Sequence, residues 1–156
     1  MARTYAPRGE TPVLAEPTTR AHWSVISGVT PAGQLLLQMQ DTAFQGPDVV
    51  RFLAHLERHL GGKLLVVWDR AAIHRSQPVQ EYLAAGHAPG MELAQLPSYA
   101  PELDPAEGVW EWSKGELANA SFADLLAMQP ALRGSFQHLR RHPEIIQGFF
   151  AHAGYG

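Results

Sequence analysis

The pattern of hydrophobic and polar positions predicts a β-hairpin near the start of the chain. Residues 22–29 (HWSVISGV) and 34–40 (QLLLQMQ) are short runs of β-branched, aromatic and aliphatic side chains, as strands have. The residues between them, Thr30-Pro31-Ala32-Gly33, are types that tight turns favour. Residues 1–20 carry several prolines and predict a loop, with one brief strand near Val13 and Leu14.

The period then changes to that of a helix. From Gly46 to Leu60 the apolar residues recur every three or four positions, Pro47 suits a first turn, and Gly61-Gly62 ends the element. The next run, Lys63 to Trp68 (KLLVVW), is short and almost continuously apolar, and it stops at Asp69. Such a run is typical of a strand that an α/β sheet buries on both faces.

The pattern in the rest of the chain predicts helices that alternate with a strand, followed by a helical C-terminal region. We expect a helix from Ser76 to Gly86, a strand over Met91–Leu96, a proline-rich loop, and a helix from Ala106 to Leu117. Residues 121–156 are predicted to be helical, with Ser121 and Asp124 as a capping pair and with Pro130 and Pro143 each opening a helix. This order indicates an α/β fold with a mixed sheet, formed by residues 1–156 as a single domain.

Composition narrows the classes of protein that need to be considered. The 156 residues are 46% hydrophobic and 17% charged, a globular balance, and they include no cysteine, which excludes disulfides and thiolate metal sites. No run approaches the ~18 apolar residues of a membrane helix, so we expect no membrane partner and a cytoplasmic location. The net charge of −3 argues against autonomous DNA binding, although an acidic metal site would itself lower the total.

Two groups of carboxylates are candidates for chemistry. Asp69 ends the most apolar predicted strand, which is where α/β sheets place ligand-binding groups, and Glu102, Asp104 and Glu107 surround a predicted helix start. If the fold brings Asp69 and Glu107 to one edge, their hard oxygen ligands suit Mg²⁺ or Mn²⁺. The alternatives are structural: a solvated aspartate after a strand, and an Asp cap with a Glu that favours the helix dipole.

The motifs around these acids resemble a known family. VVWDRAAIHRSQPVQEYL (residues 66–83) and LPSYAPELDPAEGVWEWSKGELAN (residues 96–119) are similar to the catalytic domain of mariner-like bacterial insertion-sequence transposases, of the insertion sequence 630 type. The similarity continues through TYAPRGETPVL, SVISGVTPAG and GFFAHAG, and so covers nearly the whole chain. It implies a ribonuclease-H-like core over residues 1–120 and C-terminal helices over 121–156.

The resemblance also implies roles for individual residues. Asp69 matches the second and Glu107 the third acid of the family's Asp, Asp, Glu/Asp triad, which holds two Mg²⁺ or Mn²⁺ ions for DNA strand cleavage and strand transfer. His74 matches a histidine expected near the scissile phosphate, unless it is simply hydrogen-bonded in the turn. Arg70 and Arg75 are candidates for phosphate contacts, with solvated arginine as the alternative. Asp104 stands where the family often has Asn, and we interpret it as a helix cap.

The chain departs from the family pattern at the first aspartate. That residue lies on the strand before the TYAPRG-like segment, and no carboxylate of this sequence matches it. The resemblance therefore predicts a sheet lacking its first strand, and an N-terminally truncated transposase domain whose isolated activity is impaired. Unpaired strand edges would then favour self-association.

Partners and alternatives follow from the same resemblance. It implies binding to transposon ends and target DNA, association with a second copy or a full-length transposase, and a cytoplasmic, nucleoid-associated location in bacteria. One alternative is a non-catalytic remnant that binds transposase or DNA. The other is an unrelated α/β hydrolase that uses Asp69 and His74 as an acid/base pair.

Overall fold

The chain folds as a mixed α/β structure. The structure is a computed structural model that describes residues 22–98, 100–118, 120 and 122–155. Its elements are strands β1 (Ser24–Val29), β2 (Leu35–Gln40), β3 (Leu64–Trp68) and β4 (Met91–Gln95), and helices α1 (Gly46–Leu60), α2 (Gln77–Ala84), α3 (Pro105–Leu117), α4 (Leu125–Arg141) and α5 (Pro143–His152). Short 3₁₀ helices cover Ala72–Arg75 and Pro101–Leu103. The predicted strand near Val13 and Leu14 and the predicted cap at Ser121 lie outside the described residues.

The predicted hairpin is confirmed. Strands β1 and β2 pair antiparallel, with Val29 opposite Leu35 and Ser24 opposite Gln40. Gly33 closes the turn: its N–H donates to the Thr30 carbonyl at 2.8 Å and its φ of 84° is one that side chains disfavour. A Cβ at Gly33 would also lie 2.5 Å from Pro143 Cβ, so the turn packs directly on the start of α5.

Strands β3 and β4 form a separate parallel pair joined through α2. Leu64 lies opposite Met91 and Trp68 opposite Gln95. The expectation that β3 is buried on both faces is wrong for the described residues, because Leu65 is 64% and Val67 45% exposed. Only the alternate side chains, such as Val66 and Trp68, pack against a helical layer. The apolar run therefore does not by itself report how many faces of the sheet are covered.

Two apolar clusters hold the elements together. One lies between the hairpin and the last three helices, and its buried members are Leu35, Val109, Leu132, Phe136, Leu139 and Ile146. The other lies between α1, α2 and both sheets; its buried members are Leu36, Val49, Phe52, Leu53, Leu56 and Val79, with Val66 and Trp68 packed against them. Neighbouring β2 residues thus point into different clusters, because strand side chains alternate between faces.

The C-terminal helices pack on the hairpin and on α3. The prediction that Pro130 opens a new helix is wrong: it lies inside α4, in the second turn, where its missing N–H removes one helical hydrogen bond. The helix begins at Leu125 instead, and its cap is Asp124, whose Oδ1 accepts from Ala127 N at 2.7 Å. Pro143 does open α5, as predicted. Two long-range hydrogen bonds tie α4 to the hairpin, from Trp23 Nε1 to the Leu125 carbonyl at 2.8 Å and from Arg140 Nε to the Leu35 carbonyl at 3.1 Å.

Among the described residues, the helices are all too short or too polar to span a bilayer.

Candidate active site at the carboxyl end of β3

Asp69 follows directly on the last residue of β3, Trp68. Its Oδ1 accepts from Ala71 N at 2.9 Å, which bends the chain away from the strand direction. The side chain is 61% exposed, and Oδ2 makes no hydrogen bond to the described residues. One carboxylate oxygen is thus fixed by the protein while the other is available to a ligand.

His74 contacts the same carboxylate oxygen. Its Nε2 lies 3.0 Å from Asp69 Oδ1, and its ring stacks on that of Trp68 with centroids 4.4 Å apart. Burial lowers the pKa of His74, and the charge and hydrogen bond of Asp69 oppose that shift. Its Nδ1 is buried without a hydrogen-bond partner among the described residues. Neither ring nitrogen is therefore free to act on a substrate in this conformation.

Asp104 and Glu107 lie at the start of α3. Asp104 is confirmed as the helix cap, because its Oδ1 accepts from Ala106 N at 2.9 Å. Burial raises the pKa of Asp104, the hydrogen bond from Ala106 lowers it, and the negative charge of Asp69 raises it further. A negative charge on Asp69 therefore disfavours a second negative charge on Asp104. Glu107 is exposed and occupies the first turn of the helix.

All three carboxylates line one cavity. Its volume is about 360 Å³, and its walls are formed by Asp69, Arg70, Leu96, Pro97, Ser98, Ala100, Pro101, Asp104 and Glu107. Residues from the end of β3, from the loop after β4 and from the start of α3 therefore meet at one edge of the parallel pair. Asp69 and Glu107, which the sequence led us to expect at one edge, thus line the same cavity.

The two candidate arginines are placed differently. Arg70 lines the cavity, and its Nε donates to the Leu96 carbonyl at 3.0 Å, which anchors the guanidinium at the rim. Arg75 is exposed and is not among the residues that line the cavity. His74 is also outside the lining and reaches the site only through Asp69.

The donor set suits a hard divalent cation. Carboxylate oxygens are the preferred ligands of Mg²⁺ and Mn²⁺, and a cation between Asp69 and Asp104 would relieve their repulsion. Within the described ranges, however, no three His, Asp or Glu side chains are close enough to form a ready-made metal site. The chemistry of the residues that line the cavity fits the group.

A second cavity adjoins the first and was not foreseen. It measures about 710 Å³ and shares Pro101, Asp104 and Glu107 with the first; its other walls are Glu102, Pro105, Gly108, Glu111, Trp112, Phe149, His152 and Ala153. Interpreting Asp104 only as a cap left out its place in both cavity walls. The available signal was its spacing of three from Glu107, which puts both on the same side of a first helical turn.

Comparisons with known proteins give the chain a family and a fold. The sequence profile of a family described as DDE superfamily endonuclease matches residues 1–129. The fold is similar to a chain in a solved structure described as the crystal structure of the Mos1 strand transfer complex, with a TM-score of 0.56 and 16% identity. The match covers 98% of this chain and 50% of that one, so the present chain spans about half its length. A search of curated proteins gave no match. The ribonuclease-H-like fold class is confirmed.

Proposed function

Since the chain belongs to the DDE superfamily endonuclease family, we propose that the cavity at the end of β3 is the phosphoryl-transfer site of a mariner-like insertion-sequence transposase of the 630 type. The observation that carries this proposal is that Asp69 and Glu107, from two separate elements, line one cavity. The reaction would be divalent-metal-dependent cleavage of DNA and transfer of the cut strand. Its substrates would be transposon ends and target DNA.

Asp69 and Glu107 would hold Mg²⁺ or Mn²⁺ in the proposed site. When bound, such ions activate a water or a 3′-hydroxyl and stabilise the leaving oxygen of a phosphodiester. Asp69 can offer Oδ2, because Oδ1 is already engaged by Ala71 and His74. His74 then acts as a positioning residue that fixes the rotamer of Asp69, as hydrogen-bonded neighbours of metal-binding carboxylates do.

Arg70 would contact the phosphate in this site. Its guanidinium lies at the cavity rim and is oriented by the Leu96 carbonyl. Arginine is suited to this contact because its planar group donates to two phosphate oxygens at once. The proposal assigns no phosphate contact inside the cavity to Arg75, which lies outside its walls.

We further propose that the 156-residue chain alone cleaves DNA weakly or not at all. The proposal assigns only Asp69 and Glu107 to the metal, and Asp104, the third carboxylate of the cavity, is engaged as a helix cap. Its partners would be a second copy or a full-length transposase on DNA, in the bacterial nucleoid. A non-catalytic role in binding transposase or DNA is the corresponding alternative.

Metal binding is the direct test of the site. Titration of the purified chain with MnCl₂, followed by the electron paramagnetic resonance of free Mn²⁺, should show saturable binding that Asp69→Asn and Glu107→Gln each weaken by about tenfold or more. Glu116→Gln is the matched control, because Glu116 is an exposed acid on the same helix outside both cavities. Equal affinities in wild type, Glu107→Gln and Glu116→Gln would contradict the proposal.

One contact favours the alternative of a metal-independent hydrolase, namely the 3.0 Å approach of His74 to Asp69. That function predicts ester hydrolysis without added metal and no effect of Glu107→Ala. Against it, Nε2 of His74 faces Asp69 and Nδ1 is buried, so neither nitrogen reaches the cavity. A strand-transfer assay on a duplex carrying transposon ends, run beside an ester-hydrolysis assay, separates the two activities.

A further inference from the structure

The end of the chain packs against the start of α3 at the candidate site. Residues 149–155 touch the residue just before the Asp104–Glu107 stretch and the residue just after it. These two contacts come from different side chains of the same short segment. They bracket the two acids that α3 contributes to the cavity.

The contact after Glu107 is between Gly108 and Phe149. A Cβ on Gly108 would lie 2.5 Å from Phe149 Cγ and 2.7 Å from Cδ1, so the ring occupies the space that any side chain at position 108 would need. Such close packing of a ring on a helix backbone is possible only at glycine. The position of the first turn of α3 is therefore tied to the position of α5.

The contact before Asp104 is between Leu103 and Tyr155. The Tyr155 hydroxyl donates to the Leu103 carbonyl at 3.0 Å. The chain reaches this point because it turns back after α5: Gly154 has a φ of 86°, and Tyr155 N donates to the Phe150 carbonyl at 2.9 Å. The Phe150 and Tyr155 rings meet edge to face with centroids 6.2 Å apart, which orients the hydroxyl.

We propose that Phe149 and Tyr155 are positioning residues for Asp104 and Glu107, and that the C-terminal segment thereby sets the cation affinity of the cavity. This inference rests on the proposed function, because it requires that the cavity binds a cation. It assigns to residues 148–155, which are the GFFAHAG segment and Tyr155, a role in the site rather than in the apolar cluster alone. The segment does not touch the cation; it fixes the helix start that presents the carboxylates.

The test measures Mn²⁺ affinity in variants of the full 156-residue chain. Gly108→Ala should weaken Mn²⁺ binding by about tenfold, because the methyl group displaces either α5 or the first turn of α3. Gly115→Ala is the matched control on the same helix: a Cβ there meets nothing within 4 Å, so affinity should equal that of wild type. Tyr155→Phe should weaken binding by about threefold, as expected for losing one exposed hydrogen bond.

A double variant separates displacement of the site from general destabilisation. Removing the ring in Gly108→Ala/Phe149→Ala makes room for the new methyl, and Mn²⁺ affinity should return to that of Phe149→Ala alone. Tyr82→Phe is the control for Tyr155→Phe, since Tyr82 packs in the other cluster and should leave Mn²⁺ affinity unchanged. Circular dichroism establishes which variants are folded.

The outcomes are distinguishable. If the wild-type chain binds no Mn²⁺, the proposed function fails. If wild type binds and Glu107→Gln does not, while folded Gly108→Ala and Tyr155→Phe both bind as wild type does, the positioning role is overturned and the proposed function stands. Should Gly108→Ala fail to fold, Tyr155→Phe against Tyr82→Phe decides alone.

Discussion

The imidazole of His74 lies 3.0 Å from the carboxylate of Asp69 and is stacked on Trp68, the residue that precedes that aspartate. The histidine is thereby held between the last residue of β3 and the first residue beyond it. Since one ring nitrogen is buried without a partner, protonating this ring inside the folded protein is costly. The stability of the protein should consequently depend on pH through this residue.

The pH dependence has a defined sign. Burial lowers the pKa of His74 below its ordinary value of 6.5, so the unfolded chain takes up the proton first as the pH falls. The free energy of unfolding should therefore hold above about pH 6.5 and decrease as the pH falls from there toward the folded pKa. Urea denaturation at several pH values between 7.5 and 5 measures this loss.

His74→Phe should make that loss smaller, because phenylalanine keeps the stacking on Trp68 and cannot be protonated. A part of the dependence should remain, since burial also lowers the pKa of His55. If wild type and His74→Phe lost stability in parallel over this range, the titration of His74 would not be responsible.

The start of α1 should contribute to stability in acid. Asp48 accepts from Gln45 N at 2.7 Å and pairs with Arg51, forming a capping box with Gln45. The Gln45 hydrogen bond is the main cause that lowers the pKa of Asp48 below 3.8, so its contribution is present above that pH and lost as the pH falls through the folded value. Asp48→Ala should cost about 1 kcal/mol at pH 7, measured by urea denaturation. A cost that stays constant down to pH 2 would contradict this account.

The hairpin turn should be intolerant of a side chain. Gly33 and Gly61 both have positive φ, 84° and 62°, but only Gly33 packs on Pro143, whereas a Cβ at Gly61 meets nothing within 4 Å. We expect Gly61→Ala to cost about 1 kcal/mol through backbone strain alone, and Gly33→Ala to cost at least 1 kcal/mol more through the clash. Thermal and urea denaturation of the two variants compare them directly. Equal losses of stability in the two variants would show that Pro143 moves aside without a cost in free energy.

The exposed face of β3 should promote self-association. Leu65 and Val67 are 64% and 45% exposed, and within the described residues β3 pairs only with β4. Exposed apolar strands with a free edge tend to pair with other chains. Sedimentation velocity at increasing concentration should show dimers or larger species for wild type and fewer for Leu65→Lys/Val67→Lys. A wild-type chain that stays monomeric at 100-fold dilution and at full concentration alike would contradict this expectation.

Much of the fold follows from periodicity in the sequence. The bounds predicted for α1 match those observed, because Pro47 and Gly61 mark its ends and its apolar residues keep one period. The faces of β3 could not be predicted in the same way, because KLLVVW has an apolar residue at nearly every position whether one face is covered or two. Pro130 is likewise a residue type that usually marks the opening of a helix, whereas here it lies inside one.

Only the reactive residues of the candidate site could be predicted from the sequence. Asp69 after an apolar strand and Glu107 at a helix start were sufficient to expect their meeting at one edge, and both line the cavity. The second cavity is lined in part by Phe149 and Ala153. These residues are distant in sequence from Asp104 and Glu107, and their side chains carry no reactive or charged group that would mark them as part of a site. The direction of the His74 ring depends on its stacking with Trp68, a tertiary contact that spacing alone does not reveal.

The packing of α1 on both strand pairs predicts how the protein unfolds. The hairpin and the β3–β4 pair share no backbone hydrogen-bond ladder in the described residues, yet Leu36 and Val66 belong to the same apolar cluster beneath this helix. The two strand pairs are thus held together by the packing of side chains in this cluster, and that packing is lost as a unit when the cluster opens. Amide protons in both strand pairs should therefore exchange with solvent in one concerted opening, although no backbone hydrogen bond joins the two pairs in the described residues.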